Sequence, residues 1–177
     1  MKKYWIVAVI LITALLLSVW TPAFQEPASA ASGGTLKITI KNKSSQNVTV
    51  QMWGPANYNL LAKKSVASKH NVLPGKYTYL YTVCGARITG EYVATKNSKP
   101  LTIPACAQIR LVNSTGSTMW LRLSGPASYS FTLPPGKTNL SVLSGTYQYT
   151  VTGCGGISKS GKVVLKGKKT WVWWCYR

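Results

Sequence analysis

The side chains that could carry chemistry in this chain are few. Its 177 residues include one histidine, His70, four cysteines and two acids, Glu26 and Glu91, with no aspartate. Glycoside hydrolysis needs two carboxylates across one bond, and a Ser-His-Asp triad needs its aspartate. Zinc and calcium sites need clusters of His, Cys or carboxylate ligands. No glycine-rich phosphate loop precedes a helix pattern. Lysines remain as nucleophiles, but nothing distinguishes one of them. The chain reads as a non-enzyme, with no metal and no small-molecule cofactor.

Residues suited to binding are plentiful. The C-terminal run from Gly161 to Arg177 sets Lys162, Lys166, Lys168 and Lys169 beside Trp171, Val172, Trp173, Trp174, Cys175 and Tyr176. Indole faces stack on sugars or bases, and ammonium groups neutralise phosphate or carboxylate. The run reads as a hairpin: a strand, a Lys-Gly-Lys-Lys turn and an aromatic last strand. Period two puts Trp171 and Trp173 on one face, and Val172 and Trp174 on the other. Aligning Ile103 with Val172 turns Trp171 and Trp173 outward, beside the lysines. Three placements are open for the pair: an exposed binding platform, an interface between two halves of the chain, or ordinary core. A second candidate surface combines Arg110, Trp120 and Arg122, which alternation places on the solvent face of neighbouring strands.

The elements that must position these residues are strands. No helical period is sustained after residue 31, and alternating runs are separated by Gly, Pro, Asn and Ser clusters. Strands are expected at 36–42, 47–53, 57–62, 65–72, 76–83, 90–95 and 100–104. A second series is expected at 108–113, 118–124, 129–133, 138–143, 146–152, 161–165 and 170–176. Ile38, Ile40, Val48, Val50 and Met52 fall on inward positions, as do Met119, Leu121 and Leu123. Tyr77, Tyr79 and Tyr81, with Tyr147 and Tyr149, form an inward row whose hydroxyls need partners at the rim. His70 is expected on an exposed turn. Asn42, Asn47, Asn113 and Asn139 each begin an N-x-[ST] triplet, short enough to arise by chance.

The two strand series are copies of each other. Ile38–Asn42 matches Ile109–Asn113, Gly54-Pro-Ala-Asn-Tyr58 matches Gly125-Pro-Ala-Ser-Tyr129, and Cys84-Gly85 matches Cys154-Gly155. The offset drifts from 71 to 69 residues along the repeat. Four cysteines allow three pairings, and the repeat selects Cys84–Cys106 and Cys154–Cys175. Each unit is small enough that a covalent staple matters. The fold class expected is all-β: two tandem small antiparallel β-sandwich repeats, residues 31–106 and 107–177, each with one internal disulfide. Ala107 follows Cys106 with no linker, so the repeats should form a fixed pair.

Residues 1–30 read as a secretory signal. Lys2-Lys3 precede an uncharged apolar stretch, and Ala28-Ser29-Ala30 offers small residues before a cleavage point. Retention as a membrane anchor is the alternative. Cleavage lowers the formal charge of +19 by only one. Such a surface attracts polyanions.

The Pro74-Gly-Lys-Tyr-Thr-Tyr79 and Ser144-Gly-Thr-Tyr-Gln-Tyr149 segments resemble the G-x-Y-x-Y strand of PEGA-like and other immunoglobulin-like repeats of secreted bacterial proteins. The resemblance implies a non-catalytic, surface-associated module. The expectation is a secreted or envelope-associated protein bound electrostatically to an anionic polymer: a wall polymer, acidic polysaccharide, anionic lipid surface or extracellular nucleic acid. Self-association through strand edges and neutral-glycan binding are the alternatives.

Overall fold

A computed structural model describes residues 34–175. The signal-like segment lies outside them. The described residues belong to one compact unit and are built into fourteen strands.

In the first repeat these are β1 (Leu36–Asn42), β2 (Val48–Trp53), β3 (Tyr58–Ala62), β4 (Ala67–Val72), β5 (Gly75–Val83), β6 (Ala86–Ala94) and β7 (Leu101–Ile103). The second repeat holds β8 (Cys106–Asn113), β9 (Met119–Ser124), β10 (Tyr129–Leu133), β11 (Gly136–Leu143), β12 (Gly145–Gly153), β13 (Ile157–Leu165) and β14 (Lys168–Trp173). Each repeat pairs a three-stranded with a four-stranded sheet. The orders are β4-β1-β7 and β3-β2-β5-β6 in the first, β11-β8-β14 and β10-β9-β12-β13 in the second. The sandwich is antiparallel except at one edge per repeat, where β7 runs parallel to β1 and β14 parallel to β8.

Alternation explains the layers. Ile38, Ile40, Val48, Val50 and Met52 are buried, and so are Met119, Leu121 and Leu123. These belong to one apolar core cluster that includes residues of both repeats. The two disulfides are Cys84–Cys106 and Cys154–Cys175. Closing loops of this length restricts the unfolded chain by about 3 kcal/mol each. Two disulfides in a small β protein are compatible with an extracellular location.

The inward tyrosines find their partners at the rim. The Tyr77 hydroxyl donates to the Leu73 carbonyl at 2.8 Å, and the Tyr58 hydroxyl accepts from the Leu73 amide at 3.0 Å. Tyr147 and Tyr129 repeat this on Leu143, at 2.8 and 2.9 Å. Each inward tyrosine of β5 and β12 thus ties its hydroxyl to the backbone four residues upstream, at the corner where its strand begins. Burial, reinforced by the neighbouring Tyr58, pushes the Tyr77 hydroxyl up to about 12.

Two of the N-x-[ST] triplets are internal clamps. Asn42 and Asn113 are buried. The Asn113 Oδ1 accepts from the amide and hydroxyl of Thr115 at 3.0 and 2.7 Å, while Nδ2 donates to the Ser117 and Leu133 carbonyls at 2.7 and 2.9 Å. Asn42 makes the matching four bonds to Ser44, Gln46 and Ala62. The residue two places on is a hydroxyl side chain because it closes this clamp.

Several expectations need correction. Strands β6 and β13 start earlier than the glycines suggested. Cys84 and Gly85, at φ of 51° and 72°, form a two-residue turn between the paired Val83 and Ala86. Positive φ at both positions matches the twist of a tight hairpin. His70 lies on β4 opposite Ile38, not on an exposed turn. Burial lowers its pKa, against a backbone hydrogen bond involving Leu61.

The repeats meet without a linker, since β8 begins at the cysteine that closes the first disulfide. The Tyr129 hydroxyl donates across the junction to the Cys84 carbonyl at 3.1 Å, and the Ser144 amide to the Ala105 carbonyl at 2.9 Å.

Candidate functional site

The last strand departs most from expectation. Residues β13 to β14 do not form a hairpin: β13 pairs with β12, and β14 crosses to the other sheet to pair with β8. The faces of β14 are also reversed. Trp173 sits opposite Asn113, as Ile103 sits opposite Asn42. Trp171 and Trp173 are therefore the counterparts of Leu101 and Ile103, and they point inward against the core. Val172 and Trp174 are the exposed pair, at 44% and 53%. Two residues separate Ile103 from Cys106, but only one separates Trp173 from Cys175. Aligning on the cysteines slips the strand by one, and a one-residue slip exchanges its faces.

The inward tryptophans meet space that the first repeat fills. There Tyr81 and Val83 are buried with Leu101 and Ile103. In the second repeat Val151 and Gly153 stand at the places of Tyr81 and Val83. Gly153 has little room for a side chain, since a Cβ there would lie 2.7 Å from the Met119 Cγ. Met119, standing where the first repeat has Val48, takes the space that Gly153 leaves, and the larger tryptophans replace Leu101 and Ile103, so the bulk is rearranged between the sheets. A cavity of about 330 Å³ opens between the sheets, lined by Met119, Tyr149, Lys159, Trp171, Trp173 and the Cys154–Cys175 bridge.

Its aromatic wall is a packed trio. Tyr149 meets Trp171 and Trp173 edge-on, with centroids 4.9 and 5.8 Å away, and the two indoles lie 5.1 Å apart. Edge-to-face pairs of this kind are worth about 0.5–1.5 kcal/mol beyond the area they bury. The Lys159 Nζ stands 6.0 Å from the Trp173 ring centroid. The Trp173 Nε1 is buried with no hydrogen-bond acceptor.

The remaining predicted residues divide between two outer faces. Arg110 does not share a surface with Trp120 and Arg122. It lies on β8, in the three-stranded sheet, beside Asn139 on β11 and Thr170 on β14. Lys168 and Lys137 are exposed on the same outer face. Trp120 and Arg122 lie on β9, in the four-stranded sheet, across from Thr132 and Ser130 on β10 and Thr152 and Thr150 on β12. They line an open groove of about 450 Å³. Lys162 is exposed on β13, Lys166 on the crossover and Lys169 at the start of β14. None of these three lines the tryptophan cavity.

Sequence reasoning missed Tyr149, Lys159 and Gly153 as parts of this cavity. The signal was present in the repeat itself, as the exchange of Tyr81 and Val83 for Val151 and Gly153 opposite the exchange of Leu101 and Ile103 for Trp171 and Trp173.

No protein-family model matches the chain, and neither does any curated protein. One solved structure, the Bacillus anthracis TIE protein, superposes with a TM-score of 0.31 at 12% identity, over 79% of this chain and 34% of that one. The chain thus spans about a third of the length of that protein.

Proposed function

We propose that this is a secreted, non-catalytic protein that attaches electrostatically to an anionic polymer of the cell envelope or its surroundings. The observation that supports it most is the absence of acid from the outer faces of the three-stranded sheets. Arg110, Lys137 and Lys168 stand on one, and Lys37, Lys41 and Lys69 on the other. Glu91, the one described carboxylate side chain, lies on β6 in a four-stranded sheet and pairs with Lys76 at 2.9 Å. The cations of the three-stranded faces are left to external anions, and repeated phosphate or carboxylate along a polymer meets several at once. The signal-like residues 1–30 support export.

The test is salt-dependent retention on an immobilised polyanion. A protein that neutralises several charges should show binding that falls steeply and linearly with log salt. Replacing Arg110, Lys137 and Lys168 together by Gln should flatten that slope. Elution at low salt, like an ordinary basic protein, would overturn the reading.

Strand-edge assembly is the second reading. The edge strands β3 and β10 carry no charged residue, although edge strands are commonly protected by charge. Concentration-dependent elution in size exclusion, abolished by Thr132→Lys, would favour it.

A further inference from the structure

The cavity between Trp171, Trp173, Tyr149 and Lys159 is separate from the basic outer faces, and its chemistry selects a different ligand. Its lining residues include no carboxylate, Asn or Gln. A neutral sugar presents many hydroxyl donors and needs acceptors among the side chains it meets. This wall has one, the Tyr149 hydroxyl, while the Lys159 ammonium and the Trp173 Nε1–H only donate. The rest is indole, phenol ring, thioether, aliphatic side chain and disulfide sulfur.

The Trp173 N–H sharpens the choice. A buried donor without an acceptor costs on the order of 1–3 kcal/mol, so an occupant that brings an acceptor recovers that cost. Lys159 stands over the same indole, and among the described residues no carboxylate pairs with it. Lys159 is exposed, so its ammonium is open to attract an anionic group that enters beside the indole. The acceptor that satisfies both groups is an anionic head, and the wall behind it takes an apolar body. A volume of about 330 Å³ is at the small end of ligand pockets, so the body is a short chain or a single ring system.

We infer that this cavity binds a small amphipathic anion, an alkyl carboxylate of medium chain length, with its head between the Lys159 ammonium and the Trp173 N–H and its tail against Met119, Trp171 and the Cys154–Cys175 bridge. The first repeat is built differently at this place. Val83, Tyr81 and Ile103 fill the corresponding space, and Ile88 stands on β6 where Lys159 stands on β13.

Titration calorimetry in 0.5 M salt tests this, because salt suppresses diffuse attraction to the basic surface. The probes are decanoate, decanol and a trimer of N-acetylglucosamine. The expected result is saturable one-to-one binding of decanoate, at least tenfold tighter than decanol, with no binding of the saccharide. Lys159→Met keeps the side chain's bulk and should weaken decanoate at least tenfold while leaving decanol unchanged. Trp173→Phe removes the donor and should also weaken decanoate more than decanol. Melting curves of both variants verify that the fold is kept.

Equal affinity for decanoate and decanol would overturn the proposal, as would an unchanged decanoate affinity in Lys159→Met. Saccharide binding in place of decanoate would do the same. Decanoate binding that emerges only in Tyr176→Ala would show that the chain's own end occupies the cavity, and would refute the inference equally.

Discussion

Replacing Asn113 by Ala should cost about 4 kcal/mol of stability. The side chain makes four hydrogen bonds, two accepted from Thr115 and two donated to Ser117 and Leu133. A net bond contributes about 1 kcal/mol, and a buried group stranded by the change costs about 1–3 kcal/mol. With Asn113 Oδ1 gone, the single hydrogen of the Thr115 hydroxyl is free to turn to the Ser117 carbonyl, 3.0 Å away. The Leu133 carbonyl loses a buried one, so the total stays near 4 rather than rising higher. In a protein of this size 1 kcal/mol moves Tm by about 2–4 °C, which gives a fall of about 8–16 °C. Chemical denaturation of Asn113→Ala, Asn42→Ala and Asn47→Ala provides the comparison. Asn47 is an exposed N-x-[ST] asparagine whose Oδ1 accepts from the Lys64 amide, and its loss should cost under about 1 kcal/mol, as surface changes do. If Asn113→Ala costs no more than Asn47→Ala, the clamp is not holding the repeat. Asn113→Asp should be at least as harmful as Ala, because it sets a carboxylate oxygen against two backbone carbonyls.

Other perturbations have directions that follow from the structure. The folded-state pKa values of Tyr77 and Tyr81 are raised to about 12, first by burial and then by a neighbouring tyrosine. Their contribution to stability is complete below pH 10 and is lost as the pH rises through 12. Absorbance titration should show tyrosines that ionise only above pH 11 in the folded protein and near pH 10 in denaturant. His70 has a lowered folded pKa, so its contribution is present above about pH 6.5 and lost as the pH falls through the folded value. His70→Gln should flatten the slope of stability against pH between 5 and 7, measured by urea denaturation. Reducing both disulfides should lower stability by about 3 kcal/mol per bridge, and a drop below 1 kcal/mol in total would contradict the loop-closure account.

The repeat, the disulfide pairing and most strands were legible because each rests on a local pattern. Alternation places Ile38, Ile40, Leu121 and Leu123 inward without knowledge of their partners. Pairing partners are a different matter. Lys166-Gly-Lys-Lys169 has the composition of a hairpin turn, yet β14 leaves for the other sheet, because the first repeat's β7 does the same. The facing of Trp171 and Trp173 depended on aligning one residue, and the cysteine gave a less faithful anchor than the buried Asn42 and Asn113. The cavity was invisible for a related reason. It depends on how Val151, Gly153, Met119 and the two tryptophans rearrange between the sheets, and a small residue on an inward position looks the same in a sequence whether a neighbour fills its space or not.

The junction between the repeats has a receiving end. Tyr129 and Ser144 receive the preceding copy through the Cys84 and Ala105 carbonyls. The same places in the first repeat are Tyr58 and Pro74. Tyr58 keeps its hydroxyl, but a proline nitrogen carries no hydrogen. A further copy placed ahead of the first repeat could form only one of the two bonds. Pro74 thus makes the receiving end of the first repeat unlike that of the second, with one junction donor instead of two.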